Sequence, residues 1–485
     1  MLFTSVEFFL FFGVVFFYQW YVNPLFSKEE GGDQNTSLHV FLLLASYYFY
    51  MSWDYRFGAL ILISTLIDYV LAIEISKTEN LRSRRFFLLL SLILNLVCIL
   101  GFFKYYNFFA NSLNIVAGNI GYSPVAPILN IILPVGISFF TFQSLSYTID
   151  VYRKIIPEER SLLRFALYVS FFPQLVAGPI VTAKTFLPQL FRKVNLEDVN
   201  FKKAIRYFLL GYFKKVVISD NISPIVDTIF KNPESYGTSA LWLANTLFAI
   251  QLYGDFSGYT DMAYASALLL GYELPENFYL PFKATSVTDF WRRWHISLST
   301  WLRDYIYISL GGSRYGYFRH KFNLFMTMFL GGIWHGANWT FFIWGTFMGG
   351  FLAIESIFGN IKDKYFPGNF SKWNFILKPI GFIYGIGAVV FACALFRAES
   401  LEKSLLMMKN MIFYVSGSPR MYMIKIGFTM ILLILIGHWI GYWIYEKKKE
   451  IKIPYWLELV SYPFIILGIA YFTNDNEAPF VYFQF

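Results

Sequence analysis

The chain has 485 residues, 56% of them hydrophobic and only 15% charged, where soluble domains carry roughly 25% charge. With a mean hydropathy of +0.49, this composition excludes an ordinary soluble enzyme and predicts an integral membrane protein. The net charge of +9 comes from basic residues in short loops beside apolar segments, which is the positive-inside arrangement rather than a nucleic-acid-binding surface.

In chain order, Ser5 to Tyr21 is an apolar run with no basic residue before Lys28. It lacks the positive start and small-residue cleavage site of a signal peptide and reads as a retained first helix. Apolar runs at His39 to Trp53 and Phe57 to Ile75 follow, and then Lys77, Arg82, Arg84 and Arg85 share one short loop. The charge rule places that loop in the cytoplasm and, three spans back, the N-terminus outside. Phe86 to Phe103 returns outward, Asn107 to Pro127 reads as a loop with an interfacial turn, and Ile131 to Val151 comes back to a second basic loop, Arg153 to Arg160. Within that last run Gln143, Ser144, Ser146 and Thr148 crowd together, which predicts either a wet cavity or interhelical hydrogen bonds.

Around Phe172 to Pro179 two prolines and a glycine break the helix, and broken backbone at membrane depth requires a setting inside protein or beside water. A re-entrant segment is expected there, then an interfacial amphipathic helix within Lys184 to Arg206. Tyr207 to Ile218 is interrupted by Lys214 and Lys215, and Leu241 to Tyr253 is apolar. Asp255 and Asp261 open the next expected helix, either as a functional carboxylate pair or as capping and pairing groups that meet arginines from elsewhere. Asn277 to Lys283, with Pro275 and Pro281, is a loop, and Ile376 to Phe396, Ile424 to Ile444 and Tyr455 to Phe472 are further spans, with Glu446 to Lys452 a charged linker. At roughly 20 residues per span, the expectation is about eleven transmembrane helices plus re-entrant and interfacial pieces, all α, in a single membrane domain over residues 1–485. No internal repeat supports an inverted-repeat transporter.

The chemistry concentrates between Thr288 and Trp344. Of the five histidines, His39 and His438 stand in helix text without polar companions and His320 in a basic loop, so all three read as structural or surface groups. His295 closes the run DFWRRWH, and His335 lies in GIWHGANW inside a stretch that is, Asn338 aside, apolar, aromatic or small. An ionisable residue in such a setting marks a functional site by default. There is no HExxH and no histidine-rich tract, so no metal site is expected; Ser257 lacks the GxSxG spacing of a nucleophile elbow. General-base catalysis by a neutral imidazole, taking the proton of an alcohol as it attacks a thioester, fits the residues that remain. A second histidine would orient the donor or stabilise the oxyanion. Arg292, Arg293 and Arg303 supply positive charge, either for an anionic donor or as anchors at the headgroup level. Gly311 to Arg314 reads as a tight turn, and Cys98 and Cys393 as buried structural thiols.

The stretches Ser138 to Tyr152, Phe172 to Pro179, Asp255 to Asp261, Asp289 to His295, Trp301 to Tyr305 and Gly332 to Trp339, with Phe396 to Ser400 and Phe480 to Phe485 near the end, resemble the membrane-bound O-acyltransferase family. Within it the chain looks like the bacterial branch typified by the alginate O-acetyltransferase membrane subunit. Ser309 and Ser313 depart from that branch, which often has proline and asparagine there. The resemblance implies a catalytic core over residues 134–350, helices around a central tunnel, His335 as the catalytic histidine and His295 as the second important position. Arg292, Arg293, Trp294, Asp255, Gln143, Arg303 and Asn338 are the candidates for donor or substrate binding.

By the same resemblance no cofactor is bound. Acetyl-CoA or another acyl thioester serves as co-substrate from the cytoplasm, and an exported polysaccharide or an extracytoplasmic hydrolase-like partner receives the acyl group. The setting is the bacterial cytoplasmic membrane. The alternatives are D-alanyl transfer to teichoic acid from a carrier protein, a transporter or proton relay without acyl transfer, and a non-catalytic scaffold.

Overall fold

The computed structural model describes residues 1–26, 36–365, 374–445, 455–473 and 480–481, and among them every regular element is helical. Among the described residues six helices are long and apolar enough to cross a membrane: Val6–Leu25, Arg56–Lys77, Leu81–Asn119, Trp339–Asn360, Phe375–Arg397 and Met421–Trp443. Thr36–Met51 and Leu459–Phe472 are shorter apolar helices, and the chain is a multi-pass membrane protein. The linker expected at Glu446 to Lys452 and the last four residues of the Phe480 to Phe485 stretch lie outside the described residues.

The chain divides into two compact units, one of Met1–Phe208 with Tyr259–Pro275, the other of Leu209–Gly258 with Glu276–Phe485. In the first unit the helix expected to end near Phe103 continues to Asn119. Asparagine reads as a loop former, but here Asn107 and Asn114 are helical and act as side-chain ladders. Asn107 exchanges two hydrogen bonds with the backbone of Leu129 (2.7 and 2.9 Å), and Asn114 bonds Val125 and Ala126. The returning chain is thereby stitched to the helix, and Gly136, at φ 73°, turns it into the helix Ile137–Tyr152. The polar groups of that helix take the interhelical role: Gln143 donates to the Tyr168 carbonyl at 2.6 Å and Thr148 to Asp68 at 3.1 Å.

The two basic loops of this unit lie against each other. Ser76 donates to Glu158 at 2.6 Å and Arg84 to the Tyr152 carbonyl at 2.7 Å. The broken segment at Phe172 is a four-residue helix, Phe172–Leu175, after the nine-residue Leu162–Ser170, all of it buried beyond Arg164. The following stretch, expected to hold an interfacial helix, has the short helical pieces Ala183–Phe186, Leu187–Phe191 and Leu196–Asp198, with Pro188 near the start of the second, before the longer helix Phe201–Phe213 begins. Cys98 faces outward from its helix rather than into the core, whereas Cys393 is buried as expected.

The second unit is centred on two helices that form a hairpin, Tyr317–His335 and Trp339–Tyr365. Close approach is possible because the facing positions are glycine: a Cβ on Gly332 would lie 2.6 Å from both the Gly345 Cα and the Phe341 carbonyl oxygen. Helix Asn374–Arg397 brings Phe396 to the same core, with Phe341 at 5.1 Å and Trp344 at 5.2 Å between ring centroids. His320 stands within the first helix of the hairpin rather than in a loop, and its ring nitrogens meet the Tyr307 hydroxyl at 2.7 Å and the Ser356 hydroxyl at 3.3 Å.

Candidate active site

His335 is the last residue of its helix; the chain leaves in extended conformation at Gly336, φ −167°. Three aromatic rings stand edge-on to its imidazole: Trp334 at 5.0 Å, Trp344 at 5.1 Å and Phe396 at 5.0 Å. With 6% of its surface exposed, the ring is enclosed but not sealed. Its position at the helix terminus puts it where the chain turns from one helix of the hairpin toward the next.

His295 sits at the junction of the short helices Val287–Arg293 and Ile296–Trp301, in left-handed conformation at φ 44°, ψ 54°. Such a backbone costs on the order of 1 kcal/mol for a residue with a Cβ, and the surrounding bonds hold it. Asn277 is the organiser: its backbone carbonyl accepts from Ile296 N (2.9 Å), and its side-chain oxygen accepts from Ser297 N (3.1 Å) and Ser297 Oγ (2.9 Å). The same oxygen is 3.2 Å from His295 Nδ1. Because a backbone N–H only donates, the Asn277 atom at this point is oxygen, and His295 Nδ1 must carry the proton. Nε2 then holds the ring's lone pair. Burial drives the His295 pKa down to about 3, so the ring is neutral.

The two histidines share one neighbour. The Trp334 indole is 5.0 Å from His335 and 6.2 Å from His295 between centroids, and Phe256 packs edge-on to His295 at 4.6 Å. The helix entering this corner is fixed from behind by Glu355, which accepts from Val287 N, Thr288 N and Thr288 Oγ1 at 2.6 to 2.9 Å. Two of the four backbone donors left over at a helix start are thus satisfied by one distant carboxylate.

Asp255 does not cap a helix. It lies inside the continuous helix Thr238–Leu269, because the glycines and aspartates that suggest a turn there serve close helix approach and ion pairing instead. Its partner is a lysine rather than an arginine: Lys215 Nζ is 2.8 Å from both Asp220 Oδ1 and Asp255 Oδ1. Burial works against the Lys215 charge, but the two carboxylates outweigh it and hold its pKa above the ordinary value. The other Asp255 oxygen accepts from Val481 N at 2.6 Å, and Phe480 lies 6.1 Å from Phe256. Asp255 therefore fixes a late segment of the chain beside the ring that touches His295.

Of the remaining candidates, Trp294 stacks on Phe290 at 5.2 Å and meets Phe278 at 5.0 Å, as part of the wall. Arg293 pairs with Asp289 at 2.9 Å. Arg292 is exposed, and Arg303 is exposed and paired with its neighbour Asp304 at 2.7 Å. Asn338 accepts from Thr340 N at 3.1 Å and starts the second hairpin helix. Gln143 belongs to the other unit, where it is bonded to Tyr168. Lys215, Asn277, Glu355 and the enclosing Trp334, Trp344 and Phe396 are the site residues not singled out from the sequence for these roles. No cluster of three or more His, Cys, Asp or Glu side chains suited to a metal occurs among the described residues.

Comparison with known proteins shows what the chain is similar to. The sequence profile of the membrane-bound O-acyltransferase family matches residues 151–396. The chain is 39% identical over 403 residues to a protein of Azotobacter vinelandii described as a probable alginate O-acetylase AlgI, covering 83% of this chain and 76% of that one. It is 35% identical over 418 residues to the peptidoglycan O-acetyltransferase of Helicobacter pylori, covering 80% and 74%. To the teichoic acid D-alanyltransferase of Bacillus subtilis it is 30% identical over 277 residues, covering 52% and 67%.

Proposed function

The chain belongs to the membrane-bound O-acyltransferase family, and from that premise we propose that it is an O-acetyltransferase of the bacterial cytoplasmic membrane. In this reading it moves an acetyl group from a cytoplasmic thioester, acetyl-CoA by chemical class, to a hydroxyl on an exported polysaccharide or an extracytoplasmic relay protein. The observation that carries it is the enclosure of His335 by Trp334, Trp344 and Phe396 at a helix C-terminus, in a chain similar over most of its length to two O-acetylating proteins. His335 takes the proton of the acceptor hydroxyl as its oxygen attacks the thioester carbonyl. The carbon–sulfur bond then breaks, and the thiolate leaves with that proton.

His295 has a narrower role than a second histidine could have had. Its Nδ1 proton is committed to Asn277, so the neutral ring offers only the Nε2 lone pair. It orients a donor group, such as an acceptor hydroxyl, and does not donate to an oxyanion. The relay of an acyl group rather than a whole donor lets the thioester and the polymer stay on opposite sides of the membrane.

The test is mass spectrometry of ester groups on surface and secreted glycans from cells expressing the chain or its His335→Ala form. Loss of acetyl esters at unchanged protein level is the expected result. Loss of D-alanyl esters instead would keep the base and change the donor, in line with the weaker similarity to D-alanyltransferases; unchanged esters would remove His335 from the mechanism.

A further inference from the structure

At the open end of the hairpin, away from His335, a serine lies between a lysine and a histidine. Ser356 belongs to Trp339–Tyr365 and stands about one turn before the end of its apolar span, Trp339–Asn360. His320 and Lys321 are in the opening turns of Tyr317–His335. At roughly 1.5 Å per residue, the helix separates His320 from His335 by about 22 Å.

Ser356 Oγ is in hydrogen-bond contact with Lys321 Nζ and 3.3 Å from His320 Nε2, and His320 Nδ1 is 2.7 Å from the Tyr307 hydroxyl. The Lys321 amine also lies 4.7 Å from the centroid of the Tyr317 ring. Lys321 is buried, whereas Ser356, His320 and Tyr307 are each half-buried, so this row of side chains reaches the protein surface.

The direction of the bonds follows from what each group can do. An ammonium only donates, so Lys321 takes a lone pair of Ser356 Oγ and leaves the serine's own proton for His320 Nε2. Nδ1 then carries the ring's proton, and the Tyr307 oxygen receives it. That is the order of a nucleophile, its base and the group that orients the base. Burial and the neighbouring Lys321 charge hold the His320 pKa below its ordinary value, so near neutral pH the ring is free to accept a proton. Lys321 stabilises negative charge on the serine oxygen, and its N–H groups not used there can donate to an oxyanion formed beside it. A clip across the hairpin would be complete with Lys321 and Ser356 alone; His320 and Tyr307 extend it into a relay.

We propose that Ser356 is a second acyl-accepting nucleophile of this chain, with His320 as its base, Lys321 as oxyanion donor and Tyr307 as the positioning residue for the imidazole, and that it takes acyl groups from small thioesters at the membrane surface. The choice of thioester rests on the proposed acyl donor; the nucleophile does not. Ser356 Oγ attacks the carbonyl carbon as its proton passes to His320 Nε2, and the carbonyl electron pair moves onto oxygen, where Lys321 holds it. The carbonyl re-forms, the carbon–sulfur bond breaks, and the thiolate takes the proton from His320, leaving an acyl ester on Ser356. Neither His335 nor His295 takes part.

The test is labelling of the purified full chain in lipid nanodiscs with a fluorophosphonate, located by peptide mass spectrometry. The expected result is a covalent label on Ser356 that forms more slowly when S-acetyl-N-acetylcysteamine competes as the thioester. Ser356→Ala removes the label, and His320→Gln slows it by about 10²-fold or more. Tyr307→Phe lowers the maximal labelling rate and leaves the half-saturating phosphonate concentration unchanged. Absence of label on wild-type Ser356 would overturn the proposal without any variant having to fold. An undiminished rate in His320→Gln would overturn it too, as would labelling that the thioester does not slow. Retention of the acetyl esters' dependence on His335 is read separately from surface glycans, so failure of this site and failure of the proposed function are told apart.

Discussion

A histidine buried in a closed aromatic pocket has little freedom to ionise, and this has a measurable consequence at His295. Its pKa in the folded protein is about 3 against an ordinary 6.5. Below about pH 6.5 the unfolded chain therefore binds a proton that the folded chain does not. The neutral form's contribution to stability is complete above that pH and is lost as pH falls toward 3, by up to about 1.4 kcal/mol per pH unit for one proton. Unfolding followed between pH 6.5 and 4 should show this slope, and His295→Gln should reduce it by about one proton's worth. An equal slope in the variant would mean that the ring is protonated in the folded state. At the other edge of the site, Val481 acts through its backbone. Val481→Pro removes the N–H that Asp255 accepts, while Val481→Ala keeps it. Leaving a buried carboxylate short of a donor costs about 1–3 kcal/mol, so the proline variant should lose stability and acyl transfer with the alanine variant near wild type. Equal behaviour of the two would make the contact one of side-chain packing.

Elements set how these residues meet, and the hairpin Tyr317–His335 with Trp339–Tyr365 sets most. Gly332 is three residues before His335 and touches the backbone of the partner helix at Gly345. Gly332→Ala should push the helices apart and cost about 1–3 kcal/mol by overpacking, with acyl transfer falling further than stability because His335 moves with its helix. A melting temperature and activity both at the wild-type level would refute this account of the close approach. In the sequence the text around His335 reads only as one apolar stretch, and its division at Gly336 into two close-packed helices is shown by the structure. Legibility fails where a residue's role is long-range. Asn107 and Asn114 look like loop formers, and only the returning chain at residues 125–129 reveals them as ladder groups. The stretch around Asp255 reads as a helix start because glycine and aspartate usually break helices; Lys215 and Val481, 40 residues before and 226 residues after it, overturn that local preference. Asn277 escapes notice for the same reason, since nothing in a proline-flanked loop states that its amide fixes His295. The histidines themselves are legible because an ionisable ring in apolar text is costly wherever it points.

At the scale of the whole molecule, orientation in the membrane follows from charge, and the first unit offers a strict test of it. The basic loops at Lys77 to Arg85 and Arg153 to Arg160 are each expected in the cytoplasm, and they touch through Ser76 with Glu158 and Arg84 with Tyr152. Two loops in contact must lie on one face of the membrane, so the charge rule is applied twice to one side rather than once to each. The helix Leu81–Asn119 then carries the chain across to Tyr122, which is exposed. In a Cys98→Ala background, Glu79→Cys and Lys154→Cys should react with a membrane-impermeant maleimide only after the cells are permeabilised, and Tyr122→Cys should react in intact cells. Reaction of residue 79 or 154 from outside would invert the topology of the first unit. Opposite behaviour at 79 and 154 would break the contact between the loops. The proposed function needs a cytoplasmic donor and an exported acceptor, so a labelling pattern with the basic loops outside would count against it.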